Sequence, residues 1–397
     1  MHTLLLGVLL LIVQTPTRLD STEVARVLSQ LKASDSTVCE LAGQSLANYG
    51  GFSGKGHDYA NAALPMPRPM PTPMPMPGGG GGMAGVMSDV MHGGHRPGID
   101  APTLGAFRAV LRDDNRCVRN IAARVLGNHN PAGTYELFIG LLRDAKPGLR
   151  ETGAIGLGEL EDSRALGPVS DALGDAEVSV RARAAWALGE IENVRAVRPL
   201  GEALNDASLD VRLTAAWALG EIEDESAVPL LATAAKDREP KVRQAAAWAL
   251  GQIESAQAVA ALGPLVRDPA VEVREAAIWA LGEIEAGSGV TVVAVGLKDD
   301  DSDVRVLAAW ALGEIEDASA VEPLVAALKD PDIDVRVAAA WALGEIESPL
   351  ALDGLKAAQQ DQSGAVRRAA SWALRQIDDD DNPRVHVHVR PRVKIKS

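Results

Sequence analysis

The sequence predicts an all-α protein, an α-solenoid of about ten stacked helix pairs with 31 residues in each pair. Three observations support this prediction. The chain of 397 residues is 47% hydrophobic but only 3% aromatic, which favours helices packed through Ala, Leu, Val and Ile. A motif close to A-A-W-A-L-G-E-I-E recurs at a constant interval, and that interval is typical of helical repeat arrays. Apolar residues within each interval follow helical spacing.

The chain begins with an apolar segment, residues 4 to 13, followed by a polar stretch. The segment is too short to span a bilayer as a helix and is typical of a secretory signal. We therefore predict a signal peptide over residues 1–19 and an exported protein, periplasmic or extracellular. The alternative is a buried N-terminal helix in a cytoplasmic protein. No later segment has 18 uninterrupted apolar residues, so no stable membrane span is predicted.

A first helix pair is predicted over residues 22–50, followed by a Pro/Met/Gly-rich disordered insertion over residues 51–102. Alternating proline favours an extended chain, and the glycine run after it favours a flexible one. Thioether and imidazole groups are ligands that soft copper ions prefer. Copper handling is therefore one alternative function. Its candidate ligands are Met83, Met87, Met91, His92 and His95.

The main helical array is predicted over residues 103–378. One repeat runs from Ala320 to Glu347, with Pro331 separating a first helix, helix A, from a second, helix B, predicted at Val335–Glu347. The seven tryptophans lie in the B helices, 31 residues apart. They are Trp186, Trp217, Trp248, Trp279, Trp310, Trp341 and Trp372.

One side of helix B is predicted to be core and the opposite side to face solvent. At helical spacing Val335, Ala339 and Leu343 share the core side, whereas Trp341 lies opposite. Two further positions on the Trp side differ most between repeats, for example Ala182 and Arg183 in one repeat and Leu213 and Thr214 in the next. A face whose identity changes between copies is normally exposed, so we predict that the Trp side lines an open groove.

The pattern P-L-x-x-A-L-x-D followed by V-R-x-x-A-A-x-A-L-G-x-I resembles the HEAT repeat, specifically the short PBS-lyase HEAT-like type. The likeness covers residues 103–378 strongly and 22–50 weakly. It implies a right-handed α-solenoid with helix B on the concave side. It also implies that Asp residues of the Asp330 type and Arg residues of the Arg336 type form a ladder between adjacent repeats.

Consecutive B helices stand side by side, so the tryptophans are predicted to form a row, with glutamates four residues later forming a second row. These glutamates are Glu190, Glu221, Glu283, Glu314 and Glu345. Indole faces and carboxylates suit a basic, extended peptide. The spacing is similar to the Trp-x-x-x-Asn ladder with which armadillo repeats hold extended basic peptides. The alternative is a structural seam in which the indoles pack between helices.

Residues 379–397 form an acidic cap and a strand-like basic tail. From Arg384 onward the tail alternates polar and apolar residues and carries five Arg or Lys side chains. Residues 149 to 378 hold 40 acidic against 21 basic residues. The opposite charges make the tail a candidate occupant of the predicted groove, beside a separate protein or peptide partner.

Several function classes are disfavoured. A net charge of -15 argues against nucleic-acid binding. The sequence has no G-x-S-x-G, H-E-x-x-H, Walker or G-x-G-x-x-G motif, and it lacks the His-Glu pairs with which deoxyhypusine hydroxylase, an enzyme of the resembled family, holds iron. We therefore predict a binding scaffold that is not an enzyme and has no cofactor. The alternative from the same family is a bilin-lyase-like subunit. Whether Cys39 and Cys117 form a disulfide stays open at this stage.

Overall fold

A computed structural model describes residues 21–32 and 100–378 of the chain, and every regular element in these ranges is helical. The predicted signal peptide (1–19), most of the first helix pair (22–50) and of the insertion (51–102), and the tail (379–397) lie outside the described residues. Within the described ranges, no helix has the length and apolar content needed to cross a lipid bilayer.

The described residues belong to two compact units, of which the first ends at Ile284 and the second begins at Glu285. The helices of the first unit are α1 Ser21–Lys32, α2 Ala101–Ala109, α3 Arg116–His129, α4 Thr134–Leu142, α5 Pro147–Glu159, α6 Leu166–Asp171, α7 Val178–Glu190, α8 Val197–Ala203, α9 Leu209–Ile222, α10 Val228–Ala234, α11 Pro240–Gln252, α12 Val259–Leu262 and α13 Val271–Ile284. Those of the second are α14 Val290–Gly296, α15 Ser302–Ile315, α16 Val321–Ala327, α17 Ile333–Glu345, α18 Leu352–Ala358 and α19 Gly364–Asp378.

From α2 onward, short A helices alternate with longer B helices, as predicted. Most A helices after α5 start from a 3-10 turn that a polar side chain caps. The carboxylate of Asp317, for example, accepts a hydrogen bond from the backbone N–H of Ser319 at 2.8 Å. The 3-10 segments are Ser163–Ala165, Ala172–Gly174, Val194–Ala196, Glu225–Ala227, Ala256–Ala258, Gly263–Arg267, Gly287–Gly289, Ala318–Ala320 and Pro349–Ala351.

Helix B of the Trp341 repeat begins at Ile333, two residues before the predicted Val335, because the side chain of Asp332 caps it. That carboxylate accepts a hydrogen bond from the backbone N–H of Asp334 at 2.8 Å. The predicted core side is confirmed, since Val335, Ala339 and Leu343 are fully buried. Consecutive B helices within each unit pack directly against one another, as do consecutive A and B helices. The layers of an α-solenoid are thus present in each unit.

A ladder of ion pairs joins adjacent repeats on the side where helix B begins. The guanidinium of Arg181 donates from Nε to Asp206 Oδ2 at 2.7 Å and from Nη2 to Oδ1 at 3.0 Å. Its Nη1 donates to the carbonyl oxygen of Asp175 at 2.9 Å, so one arginine ties the turn of its own repeat to the next repeat. The same pairing joins Arg150–Asp175, Arg212–Asp237, Arg243–Asp268, Arg305–Asp330 and Arg336–Asp361. The ladder implied by the sequence resemblance is confirmed.

The ladder predicts acid-sensitive stability. A hydrogen bond from Arg150 is the largest influence on the Asp175 carboxyl and lowers its pKa below the ordinary value. Because the folded-state pKa is depressed, the stabilisation is present above the pKa of an unfolded aspartate, about 3.9, and is lost as the pH falls through the lower folded-state value. We expect Asp175→Asn to reduce the decline in unfolding free energy below pH 4, measured by urea denaturation across pH. An unchanged acid dependence would contradict this.

Candidate functional site

In the first unit the tryptophan side chains lie between neighbouring B helices: Trp186, Trp217, Trp248 and Trp279 are only 2, 3, 4 and 6% exposed. The prediction that all seven rings form a water-facing row is therefore wrong for these four. The B helices of adjacent repeats approach so closely that each ring fills the space between them, which is the arrangement of a structural seam.

Glycine in the A-L-G-E motif makes this seam possible. A Cβ atom added to Gly220 would lie 2.8 Å from Cζ3 of Trp248 and 3.0 Å from the Cα atom of Ala249 in the next repeat. The same relation holds in the second unit, where a Cβ on Gly313 would lie 2.8 Å from Cζ3 of Trp341. Neither contact leaves room for a side chain. The motif therefore pairs a glycine with the indole of the following repeat at Gly158, Gly189, Gly220 and Gly251 in the first unit and at Gly313 and Gly344 in the second.

The three tryptophans of the second unit, Trp310, Trp341 and Trp372, are partly exposed. Trp341 and Trp372 still pack an edge against a glycine of the preceding repeat, but part of each ring reaches solvent. The predicted contact surface of indole and carboxylate is thus restricted to this second unit.

The two positions on the Trp side of helix B that vary most between repeats include buried residues in the first unit. The prediction that they face solvent is wrong for Ala182, Thr214, Ala245 and Ala276, whose exposures are 9, 1, 2 and 3%. The variation arises because several small side chains fit the space between B helices equally well. In the Trp341 repeat the equivalent residues Val337 and Ala338 are partly exposed.

The predicted glutamate row is partly exposed in both units. Its members are Glu190, Glu221, Glu283, Glu314 and Glu345. The row extends backward in the first unit to Glu159 and Asn128, which occupy the same repeat position. There the side-chain nitrogen of Asn128 donates a hydrogen bond to Glu159 Oε2 at 2.7 Å. These two successive positions of the row are therefore within hydrogen-bond distance of each other.

A second set of glutamates lies two residues after the row, at the turn that ends each B helix. Their backbones have φ between 48° and 53°, a left-handed conformation in which Gly is usual at a helix end. They are Glu161, Glu192, Glu223, Glu254, Glu285, Glu316 and Glu347. We call these residues and the glutamate row the acidic edge. The acidic edge lies at the negative ends of the B-helix dipoles, which adds to its attraction for cations.

Acidic residues outnumber basic ones in the second unit. Residues 285 to 378 hold 17 acidic against 8 basic residues. At the beginning of the B helices the ladder pairs Arg305 with Asp330 and Arg336 with Asp361, whereas the acidic edge at the other end presents carboxylates that could attract a cationic group.

A charged cluster that the sequence pattern did not predict lies on the B helices α3, α5 and α7, where Arg124 and Ile155 occupy the position of the later tryptophans. Arg116 and Arg183 each contact Glu151 nearby. Two signals could have revealed the cluster: the loss of Trp from the α3 and α5 repeats, and Arg183 at a position where the next three repeats have Thr or Ala.

The remaining candidate residues lie mostly outside the described ranges. This is true of Met83, Met87, Met91, His92 and His95, the candidate copper ligands. Within the described residues, no group of three or more His, Cys, Asp or Glu side chains is arranged to hold a metal ion. Cys117 is disulfide-bonded; Cys39, the only other cysteine of the chain, lies outside the described residues.

The chain was compared with curated proteins and with solved structures. No curated protein matches the chain in sequence. Among solved structures, YibA of Escherichia coli is 25% identical, with 61% of this chain and 92% of that chain covered and a TM-score of 0.47. The complex of CpcE and CpcF of phycocyanin lyase from Nostoc sp. PCC7120 is 26% identical, covering 54% and 94%, with a TM-score of 0.36. Human deoxyhypusine hydroxylase in complex with glycerol is 24% identical, covering 64% and 99%, with a TM-score of 0.30.

A family model of HEAT repeats matches residues 105–180, 168–239, 229–295 and 290–375. These matches together span most of the chain and coincide with the alternating A and B helices. The repeated helix pairs, the Arg–Asp ladder and the family match agree, and the chain belongs to the HEAT-repeat family.

Proposed function

We propose that this protein is a binding scaffold without catalysis of its own, which holds a basic, extended segment of a protein along the acidic edge. The observation that carries the proposal is the row of partly exposed glutamates, repeated at the same position of successive B helices. The ladder of Arg–Asp pairs lies at the opposite end of the B helices, so the row is separate from it. Carboxylates that keep part of their surface in solvent can hold Lys and Arg side chains through charge-assisted hydrogen bonds.

The partly exposed indoles of the second unit add an apolar and cation–π component. Trp341 lies one helical turn before Glu345, and Trp310 stands in the same relation to Glu314. An arginine side chain can lie over an indole while its guanidinium reaches the adjacent carboxylate. This pairing of ring and carboxylate favours an Arg-containing segment over one that contains only small polar residues.

The chain carries a segment of this chemistry in its own tail. Arg384, Arg390 and Lys396 are six residues apart, so in an extended strand they fall about 20 Å from one another. Packed helices are about 10 Å apart, so the distance between these basic residues equals the distance from one B helix to the second B helix after it. The tail is therefore our proposed intramolecular occupant, and it would compete with a separate basic partner.

We further propose that the protein is exported. The apolar segment at residues 4 to 13 supports this. The disulfide-bonded state of Cys117 supports it too, because disulfides persist in oxidising compartments and are rare in the cytosol.

The proposal is tested with a fluorescent peptide of residues 384–397, titrated against the full chain and against a variant lacking those residues. We expect tighter binding to the shortened variant, because its groove lacks the competing tail. In that background Glu314→Gln with Glu345→Gln should weaken binding about fivefold, since each partly exposed ion pair contributes up to about 1 kcal/mol.

The matched control removes the same charge from exposed A-helix residues, Glu322→Gln with Asp353→Asn. The control should leave the affinity within twofold of the parent. Equal weakening in both double variants would show that the peptide responds to overall charge, and the acidic edge would lose its proposed role.

A further inference from the structure

Helices α3, α5 and α7 carry a charged cluster on their adjoining faces. Glu151 of α5 is an acidic side chain that is only 3% exposed, whereas the equivalent residues of the next two repeats are Ala182 and Leu213. Its Oε1 accepts a hydrogen bond from Arg116 Nε on α3 at 3.1 Å and lies 3.5 Å from Arg183 Nε on α7. One carboxylate oxygen thus serves two guanidinium groups from two different repeats.

A second ion pair lies two helical turns further along the same helices. Arg124 Nε is 3.5 Å from Glu159 Oε1, and Asn128 donates to the other oxygen of Glu159. Burial is the largest influence on this carboxyl and raises the pKa of Glu159. Arg116, Arg124 and Arg183 with Glu151 and Glu159 give three positive and two negative charges. Arg119 also acts on Glu151, but Asp113 and Asp114 act on it in turn. Its Nη1 donates to their backbone carbonyl oxygens at 2.7 and 3.0 Å, so it is counted with those two residues and not with the cluster.

Arg183 is the least satisfied member of the cluster. Its side chain is 19% exposed, and among the described residues Glu151 is its one acidic partner, at 3.5 Å. A guanidinium has five N–H donors, so most of those on Arg183 have no protein acceptor in the described part of the chain. Burial, as the largest influence, and the neighbouring Arg124 and Arg116 lower the pKa of Arg183. The remaining N–H groups of Arg183 can therefore donate hydrogen bonds to the oxygens of a bound anion.

The repeat scaffold does not need these charges. The residues equivalent to Arg183 are Thr214, Ala245 and Ala276 in the next three repeats, and each is buried between B helices without a charge. Arg124 likewise takes a position that later repeats fill with Trp. The cluster is therefore a local addition to the repeats and not part of the pattern by which they stack.

We propose that Arg116, Arg124 and Arg183 form a binding site for an oxyanion, a carboxylate by preference, in front of Glu151 and Glu159. Guanidinium groups match carboxylate and phosphate oxygens with paired hydrogen bonds. The single excess positive charge of the cluster favours a carboxylate with one negative charge over a phosphate with two. The exposed fractions of Arg116 and Arg124, 48% and 29%, leave an approach from solvent.

This site is independent of the proposed function, because the arginine cluster would bind an anion whereas the acidic edge would bind a cationic segment. The acidic edge is tested with a cationic peptide and changes at Glu314 and Glu345, whereas the arginine cluster is tested with small anions and changes in α3 and α7. Failure of one test leaves the other result interpretable.

The experiment follows the Nε–H signals of arginine in the full-length protein by NMR while sodium acetate or sodium phosphate is added at constant ionic strength. We expect the signals of Arg183 and Arg124, identified through Lys variants, to shift with acetate in a saturable way. Arg183→Met should weaken acetate binding at least tenfold while the protein stays folded, since other repeats have Thr or Ala at this position.

The matched control is Arg198→Met, which removes an equally charged but 91% exposed side chain from helix α8. It should leave the acetate affinity unchanged. Saturable shifts with phosphate and none with acetate would support the oxyanion site and assign it to phosphate. The absence of saturation with either anion, or equal loss in both variants, would overturn the proposal and leave the cluster as a structural ion-pair network.

Discussion

Replacing Trp248 by Ala is expected to lower the free energy of unfolding by about 3 to 5 kcal/mol, the loss usual for a large aromatic side chain removed from a core. The ring is 4% exposed and its Cζ3 atom faces Gly220 of the preceding repeat. No small rearrangement refills the space, because the backbones on both sides belong to helices held by their own core residues. The measurement is urea-induced unfolding followed by circular dichroism.

Trp341→Ala is the matched control, because the same substitution at the same repeat position removes a partly exposed ring. We expect a smaller loss of stability there, together with weaker binding of the tail peptide. Equal or greater destabilisation by Trp341→Ala would contradict the distinction between buried and partly exposed indoles. It would also undermine the restriction of the contact surface to the second unit.

Replacing Arg243 by Ala is expected to lower the free energy of unfolding by about 3 to 5 kcal/mol, the loss usual when one partner of a buried ion pair is removed. Arg243 and Asp268 are only 14 and 7% exposed, with Nε and Oδ2 2.7 Å apart. The guanidinium also donates to the carbonyl oxygen of Asp237 at 2.9 Å. The substitution leaves both the buried carboxylate and that carbonyl without their donor, and this accounts for the size of the effect.

The role of the pair is isolated by combining Arg243→Ala with Asp268→Ala. We expect the double variant to lose clearly less stability than the sum of the two single variants, because the second change removes a carboxylate already deprived of its partner. The control is Arg238→Ala, five residues before Arg243, where the side chain is 79% exposed. It should change the free energy of unfolding by less than about 1 kcal/mol. Simple additivity in the double variant would show that the ladder contact contributes nothing.

Much of the fold could be predicted from the sequence because it depends on local spacing. Pro331 separates the two helices of the Trp341 repeat, and the predicted start of helix B, Val335, lies two residues after the observed start, Ile333. The core residues Val335, Ala339 and Leu343 follow from helical periodicity alone. The ladder was implied by the resemblance to the HEAT repeat, and the structure identifies its partners, for example Arg336 and Asp361.

The candidate site was predicted less well, since the exposure of a helix face depends on its neighbour. Periodicity correctly places Trp248 opposite the core of its own helix pair. It does not reveal that Gly220 in the preceding repeat leaves a space of the size and shape of an indole edge. Glu314 and Glu345 keep part of their surface in solvent because they lie nearer the end of helix B, where longer side chains reach past the helix contact.

The sequence by itself determined the repeat, the helices and the side of each helix that forms the core, and its resemblance to the HEAT repeat implied the ladder between repeats. Only the tertiary structure decided that four indoles are buried between B helices and three are partly exposed. It alone also showed that Arg116 and Arg183 pair with Glu151 and that Arg124 pairs with Glu159. The physical reason is that helical periodicity is fixed within one segment of chain. Burial and charge clustering are set instead by the distance between segments, which small residues such as Gly and Ala determine when repeats stack.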